Sequence, residues 1–560
     1  MSLILEQLIH REGRHLVVNR LSLEVDTAEL FVLLGPHGSG KSAVLRITAG
    51  LLAAESGRVL LGGRDLTELP ARQRGLGFVP RRAALFGRMT VAENVEFGLH
   101  IRKVAPAERR RTRDALLDLV GLDGLGSRMP GQLVDGQPQR VALARALAYQ
   151  PQALLLDTPF GGLDRAARTE LHATLLRIRH ELGVPILFAT NDPEEAFALA
   201  DRLGIINAGR LIEVGTPGEL YQRPRSEFAA MFLGPANLLV GQLAHGGVRL
   251  GPAPVQLSIL SIDAMGPQRI PLLFRPEDVV LAAAQRDLAP PHLGCGVVEQ
   301  AIYLGAIERL RIQLPALPGV RRIAPAVPFG ADYLIVEASR TAAQARHFPL
   351  GHGDRVWVGV RNLHAILDAG LRLLIVTGPA PDARAALAFG RQITRLAHAQ
   401  TTILEYPNAA ERLGWGVQQA HNRPGKHFPL FEPRLPPVPP IEAVLNEVER
   451  CQYDLVVLAA REQDRGDLIE ALLQVGEHHV LLVPSAQPTP ERALICVTTG
   501  EPSKQDVLVA GRLLRHLGAE VTLLAVLPRG ADGTAAHERA ERFLAAGART
   551  LNLLGVPART

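Results

Sequence analysis

A glycine-rich segment near the N-terminus carries the residues with the clearest chemical potential. The short apolar run from Phe31 to Leu34 is followed by a G-x-x-x-x-G-K-S pattern, and a helical pattern begins at Lys41. Glycines let backbone N–H groups converge on phosphate oxygens, and the N-terminus of a helix favours anions, so the pattern predicts a phosphate-binding loop. A chance glycine turn is the alternative, which the strand-loop-helix context disfavours. We assign nucleotide contacts to the whole loop: Gly35, Pro36, His37, Gly38, Ser39, Gly40, Lys41 and Ser42.

A divalent metal ion would complete such a site. In loops of this spacing the lysine reaches the outer phosphates and the following hydroxyl ligates Mg²⁺, roles that fall to Lys41 and Ser42. The apolar run from Ala153 to Asp157 ends in a carboxylate, which can hold the same ion through water. By itself this run is also typical of a buried strand with a capping aspartate. Downstream of the loop, it makes Asp157 the second predicted metal ligand.

Length and composition are typical of a large globular protein with several domains. The chain has 560 residues, of which 47% are hydrophobic and 21% charged. No apolar run approaches the roughly 18 residues that cross a bilayer, and the N-terminus lacks the apolar core of a signal peptide, which predicts a cytoplasmic protein. The cysteines, Cys295, Cys451 and Cys496, are far apart in the sequence, so we expect small core residues rather than a disulfide or metal site.

The net charge of +5 comes from an excess of arginine. The densest cluster, Arg109 to Arg113, could contact nucleic acid or anionic lipid. It follows a helical pattern, however, and is flanked by Glu108 and Asp114. We therefore interpret it as a solvated helix face and predict no nucleic-acid partner.

Residues 1–233 alternate strand and helix patterns, which is typical of an α/β domain. Further stretches follow the loop in order, at 61–79, 84–99, 131–147, 153–164 and 189–203. Together they resemble the ATP-binding subunit of ABC transporters, and most of all importer subunits for sugars, polyamines, sulfate or iron. The resemblance implies a P-loop NTPase fold that binds ATP and Mg²⁺. It also implies integral membrane permease partners, a homo- or heterodimer of ATP-binding subunits, and a peripheral position on the inner face of the cell membrane.

Several motif positions depart from the pattern of that family. Where the family has a glutamine that senses the γ-phosphate, a glutamate that activates water and a switch histidine, this chain has Arg81, Thr158 and Asn191. An aromatic residue that stacks on adenine is replaced by Glu12. The D-loop aspartate is kept as Asp164. The family signature L-S-G-G-Q is represented here by Leu133, Val134, Asp135, Gly136 and Gln137.

These departures predict impaired hydrolysis, and we assign no catalytic residue. Threonine cannot accept a proton near neutral pH, and the missing general base is worth about 10² to 10⁴ in rate. Val134 lacks a hydroxyl donor, and Asp135 either directs a carboxylate towards phosphate or points into solvent. One hypothesis is an importer subunit that binds MgATP. A second is a regulatory pseudo-ATPase that senses ATP and signals through the later domains, and a third, a nucleic-acid-associated ABC protein, is disfavoured by the barrel predicted next.

The rest of the chain predicts three further domains, which makes the fold multidomain α/β. Short strands over 234–368 resemble the TOBE-like, OB-like β-barrel of importer ATPases, with Tyr303 and Trp357 expected in its core. Residues 369–487 resemble a universal stress protein, a Rossmann-like α/β domain, without a glycine-rich loop after the strand near 454–460. Residues 488–560 repeat the first half of that domain at an offset of about 121 residues. Either the sequence is a fragment or this half-domain completes itself against another surface.

Overall fold

The computed structural model divides into two compact units, Met1–Gly234 and Pro235–Thr560. The structure describes residues 1–13, 15–134, 136–207, 209–244, 247–250, 253–255, 268–289, 291–317, 320–325 and 332–366. Beyond these it describes 372–377, 381–397, 400–405, 416–420, 432–433, 440–450, 453, 455–459, 468–469, 472, 479–483, 492–497, 510, 514, 520–525, 534–553 and 558–559. No helix among these residues is both long enough and apolar enough to span a membrane.

The strands of the first unit form two sheets. Their bounds are β1 Leu3–Glu12, β2 His15–Val25, β3 Leu30–Leu34, β4 Ser56–Leu61, β5 Arg64–Asp65, β6 Leu76–Val79, β7 Ala153–Asp157, β8 Ile186–Thr190, β9 Arg202–Asn207 and β10 Arg210–Gly215. An antiparallel sheet has the order β2-β1-β4-β5, and a second sheet has the order β10-β9-β3-β8-β7-β6. In the second sheet every pairing is parallel except that of β10 with β9. Strands β3, β7 and β8 are buried along their whole length because both faces of this sheet are covered.

Helices cover the parallel sheet on two sides. Their bounds are α1 Lys41–Ala49, α2 Val91–Ile101, α3 Pro106–Leu119, α4 Gln137–Leu147, α5 Arg165–Leu182, α6 Pro193–Leu199, α7 Pro217–Gln222 and α8 Glu227–Phe232, with 3-10 turns at Ala71–Gln73 and Pro130–Gln132. One core joins the sheet to α2 through α6, and another joins its opposite face to α1 and the antiparallel sheet. Because α1 is packed between two sheets, the loop that precedes it is held firmly at the edge of the parallel sheet.

The arginine cluster lies in α3, as predicted for a helix face. Arg113 donates to Glu96 of α2 at 2.7 Å, and Arg109 approaches the same carboxylate at 3.5 Å. Arg110 and Arg111 are exposed. Part of the cluster therefore ties α3 to α2, and the rest is solvated.

The second unit begins with two antiparallel sheets that share a core. Their strands are β11 Asn237–Ala244, β12 Gly247–Leu250, β13 Ala253–Val255, β14 Gln268–Phe274, β15 Val279–Ala282, β16 His292–Tyr303, β17 Ile307–Pro315, β18 Arg321–Ala324, β19 Tyr333–Thr341, β20 Arg355–Val360 and β21 His364–Ala365. One sheet has the order β13-β12-β11-β14-β21, with β18 also on β11, and the other has the order β15-β20-β16-β17-β19. A 3-10 turn at Pro276–Asp278 connects the two sheets, whereas the turn at Gln285–Asp287 and helix α9, Ala342–His347, connect strands of the second sheet. Alternate residues of both sheets form one buried cluster.

Two expectations for this region were wrong. Tyr303 lies at the tip of the β16–β17 hairpin and is 69% exposed, so it is not a core residue. At this end β16 pairs with β17 but no longer with β20, which an alternating sequence pattern cannot indicate. Cys295 is only partly buried, and Trp357 is also of intermediate exposure.

The last part of the second unit is an α/β arrangement. Its elements are β22 Arg372–Thr377, α10 Pro381–Ala397, β23 Gln400–Glu405, β24 Gly416–Ala420, β25 Glu432–Pro433, α11 Pro440–Arg450, β26 Leu455–Ala459, β27 His479–Val483, β28 Arg492–Val497, β29 Glu520–Ala525, α12 Thr534–Leu553 and β30 Ala558–Arg559. The sheets have the orders β25-β24-β23-β22-β26-β27 and β28-β29-β30. Leu373 and Ile375 pack with α10, whereas Leu374 and Val376 pack with α11, so helices cover both faces of β22. The segment after β26 that we expect to lack a phosphate loop, 460–463, lies outside the described residues.

Candidate nucleotide-binding site

Three adjacent parallel strands bring the predicted site residues to one edge of the sheet. Strand β8 lies between β3 and β7, with Leu34 opposite Thr190 and Asp157 opposite Ala189. The backbone continues these pairings beyond the strands, because Gly35 N donates to the Thr190 carbonyl at 3.3 Å and Thr158 N donates to the Ala189 carbonyl at 2.9 Å. Ligands of open α/β sheets bind at the carboxyl ends of the strands, which is where these residues lie.

The loop between β3 and α1 has a shape that needs its glycines. Gly40 adopts φ +96°, and a Cβ atom there would lie 2.3 Å from the Val17 carbonyl oxygen. A Cβ atom on Gly35 would lie 2.2 Å from the carbonyl oxygen of Ile206. Strands β2 and β9 thus pack directly against the loop. The surrounding fold therefore fixes the conformation of the loop.

Lys41 is held beneath the loop by three hydrogen bonds. Its ammonium donates to the carbonyl oxygens of Gly35 and Pro36 at 2.7 and 2.8 Å and to Ser39 Oγ at 3.2 Å. The side chain is 7% exposed, and this burial lowers the pKa of Lys41 to about 8; Asp157 opposes the shift and Arg81 adds to it. The cation is therefore positioned where the loop's N–H groups would hold phosphate oxygens.

The two predicted metal ligands are in direct contact. Ser42 Oγ donates to Asp157 Oδ1 at 2.8 Å, and Asp157 is 2% exposed. A hydroxyl and a carboxylate are oxygen ligands of the kind that Mg²⁺ takes together with phosphate and water. Among the described residues, no group of three or more histidine, cysteine, aspartate or glutamate side chains could hold a metal by itself. This donor set fits Mg²⁺ that arrives with a nucleotide.

The residues at the family's reaction positions surround this core of the site. Thr158 directly follows Asp157 and has φ +49°, a left-handed conformation that is an outlier for a β-branched residue. Asn191 follows β8, and its amide nitrogen lies 3.0 Å from Nε2 of His37 in the loop. Arg81 follows β6, is exposed, and is close enough to influence the Lys41 ammonium. The fold thus places Thr158 beside Asp157 and brings Asn191 into contact with the phosphate loop.

The signature segment lies at the start of α4. Gly136 caps that helix with φ +82°, Gln137 begins it, and Leu133 packs against the core of the unit. Val134 is 63% exposed, and Asp135 lies outside the described residues. In the described part of the chain no hydrogen bond or ion pair joins this segment to the phosphate loop. Asp164 caps α5 by accepting from Ala167 N at 2.7 Å.

The environments of Glu12 and Glu195 could not be predicted from the sequence pattern. Glu12 is exposed at the end of β1, opposite His15 of β2. Glu195, which the sequence did not single out, is 4% exposed and accepts from the Thr190 hydroxyl at 2.5 Å. Burial raises the pKa of Glu195, Asp192 raises it further, and the Thr190 hydrogen bond and Arg168 act against the shift. It stabilises the end of β8, from which Asn191 extends.

Comparison with known proteins agrees with this geometry. The ABC transporter family matches residues 18–161. The chain is similar to a sulfate/thiosulfate import ATP-binding protein CysA of Bordetella parapertussis, with 46% identity over 289 residues that cover 51% of this chain and 81% of the relative. The CysA of Caulobacter vibrioides is 44% identical over 47% of this chain and 79% of its own length. That of Synechocystis is 38% identical over 56% of this chain and 85% of its own length.

Proposed function

This chain belongs to the ATP-binding subunits of ABC importers, and on that premise we propose that it binds MgATP to support the uptake of sulfate or thiosulfate. The observation that carries the proposal is the joint placement of Lys41, Ser42 and Asp157 at the ends of β3 and β7. Residues 35–42 would hold the phosphates, with Lys41 neutralising their charge. Ser42 and Asp157 would hold the metal ion, which supplies further charge neutralisation when bound.

The proposed solute follows from the relatives. Their names give sulfate and thiosulfate, and the identity with them extends over about half of this chain. Importer ATP-binding subunits work with membrane permease subunits. We therefore propose permease partners in the cell membrane, a peripheral position on its cytoplasmic face, and a dimer of ATP-binding subunits.

Slow hydrolysis is the second part of the proposal. Thr158 stands where a general base is required, and its hydroxyl accepts no proton near neutral pH. Asn191 has no titratable proton. The protein would then act on its partners through whether ATP is bound, rather than through fast turnover.

We also propose that the second unit carries the barrel at 234–368, the stress-protein-like domain at 369–487 and its partial copy at 488–560. Support for the α/β part comes from β22, whose two faces pack against different helices. Support for the repeat comes from β28 and β29, which pair in parallel as β22 and β23 do.

Two experiments test the proposal. Titration calorimetry with MgATP should show saturable binding to the full chain that is weakened about 100-fold or more in Lys41→Ala, because charge-assisted hydrogen bonds are lost. Equal affinity of the two proteins would contradict the assignment of the loop. In cells that lack their own sulfate-import ATP-binding subunit, the chain should co-purify with the sulfate permease but restore sulfate uptake only weakly, because hydrolysis is slow. Association with the permease of another solute class alone would contradict the proposed substrate.

A further inference from the structure

One contact at the site joins residues that are 154 positions apart and has no explanation in the motifs. Nδ2 of Asn191, just beyond β8, lies 3.0 Å from Nε2 of His37, in the middle of the phosphate loop. His37 is exposed, so burial does not require its ring to be paired. In the part of the chain that the structure describes, this is the only hydrogen bond of the His37 ring.

The contact selects one tautomer of the ring. An asparagine Nδ2 group can only donate, so Nε2 of His37 is the acceptor and the ring proton lies on Nδ1. Nδ1–H is then a donor without a protein partner among the described residues. Asn191 thereby fixes both the orientation of the imidazole and the nitrogen that is able to donate.

The position of His37 on the loop defines what this donor can reach. The Lys41 ammonium is bonded to the carbonyl oxygens of Gly35 and Pro36, so it lies under the part of the loop that leads directly into His37. In a loop of this spacing that ammonium serves the outer phosphates. His37 therefore borders the place of the terminal phosphate, rather than that of the base or ribose.

We propose that His37 binds the terminal phosphate of ATP through Nδ1–H and that Asn191 is its positioning residue. This proposal rests on the proposed function, since it concerns the same nucleotide site. In this role the pair would distinguish a nucleoside triphosphate from a diphosphate. A contact that only stabilised the loop would not do so.

The test compares two probes on the full chain: a non-hydrolysable ATP analogue with Mg²⁺ and ADP with Mg²⁺. His37→Ala should lower the affinity for the analogue about tenfold, which corresponds to the loss of one hydrogen bond to a charged group. It should change the affinity for ADP less than about twofold. His37→Gln retains a side-chain N–H and should recover part of the loss. His100→Ala, which removes an exposed histidine at the end of α2, is the matched control and should change neither affinity.

Asn191 variants test the positioning role. Asn191→Ala should lower the preference for the analogue by less than His37→Ala does. Asn191→Asp cannot donate to Nε2 and adds a negative charge that repels the terminal phosphate, so the preference should fall at least as far as in His37→Ala.

Each result has a distinct meaning. An unchanged ratio of analogue affinity to ADP affinity in His37→Ala would overturn the inference, whether both affinities stay the same or both fall equally. Failure of the unaltered chain to bind either nucleotide would instead refute the proposed function. Binding of both nucleotides with an unchanged ratio would refute only the role of His37.

Discussion

The part of the site proposed to hold ATP and the part proposed to hydrolyse it differ in the chemistry of their side chains. Lys41, Ser42 and Asp157 keep the charges, hydroxyl and contacts that phosphate and Mg²⁺ require. At the positions next to them, Thr158 and Asn191 lack the proton acceptor and the titratable ring expected there. Both sets of residues lie at the carboxyl ends of the same parallel strands, so the fold positions the site whichever residues occupy the reaction positions. We therefore expect nucleotide binding and turnover to be separable properties of this architecture.

The largest expected effect concerns repair of turnover. Thr158→Glu alone, or together with Asn191→His, should leave phosphate release close to that of Lys41→Ala. Adding Val134→Ser and Asp135→Gly should then raise it by about 10² or more, because the base acts only when the signature loop can complete the site. Steady-state phosphate release from the single, double and quadruple variants measures this non-additivity. Brisk turnover in Thr158→Glu alone would show that the signature changes are harmless.

A smaller effect is expected in the choice of base. Because Glu12 provides no aromatic surface for adenine, affinities for MgATP and MgGTP should agree within about threefold, less than one base-stacking interaction would contribute. Competition titrations of the unaltered chain measure the ratio. Glu12→Trp should raise the preference for ATP, and a strong preference without that change would contradict the assignment of Glu12.

The backbone at Thr158 offers a test of stability. A β-branched residue at φ +49° is strained, so Thr158→Gly should raise the free energy of unfolding by about 1 kcal/mol, partly offset by the greater freedom of glycine in the unfolded chain. Gln150, which has φ +53° but no branch at Cβ, is the matched control, and Gln150→Gly should gain less. Denaturant unfolding measures both values. A clear loss of stability in Thr158→Gly would mean that the threonine side chain stabilises the loop.

A further effect concerns the dependence of stability on pH. Burial raises the pKa of Glu195 above its ordinary 4.5, so between 4.5 and the raised value the folded chain keeps a proton that the unfolded chain has lost. The contribution of this carboxyl to stability therefore falls as pH rises through that window. Glu195→Gln cannot ionise, so its stability relative to the unaltered chain should rise between pH 4 and pH 7, by about 1 kcal/mol for each pH unit that the window spans.

The exposed neighbour Glu194 provides the control for that measurement. Glu194→Gln makes the same substitution on an exposed side chain and controls for the removal of a carboxylate at this end of α6. A stability difference between Glu195→Gln and the unaltered chain that stays constant with pH would contradict the raised pKa.

Local patterns were sufficient for the parts of the site that are continuous in sequence. The spacing of Gly35, Lys41 and Ser42 predicted a strand, a loop and a helix, and the structure has β3, the loop and α1 there. The acidic end of the apolar run at 153–157 predicted a ligand near Ser42, and the two side chains are 2.8 Å apart. The predicted strand, loop and helix are confirmed because neighbouring residues determine that backbone shape, and the proximity of Ser42 to Asp157, 115 positions apart, follows from strand order. The binding roles of these residues stay predictions.

Contacts between distant residues could not be predicted in the same way. The pair of His37 and Asn191 depends on β8 lying next to β3, and only the strand order shows this. The burial of Glu195 depends on how α6 packs against β8, and the exposure of Tyr303 depends on how far a hairpin extends. A motif gives the identity of a residue, but its environment is a property of the tertiary fold.

The most direct test of the central claim is a single-turnover experiment. The full chain is loaded with labelled MgATP and mixed with vesicles that contain the sulfate permease, and bound ATP and released phosphate are followed together. We predict that ATP becomes bound to the chain but not to Lys41→Ala, while phosphate release in both stays at the rate of that variant. Binding followed by rapid phosphate release would contradict the separation of binding from hydrolysis.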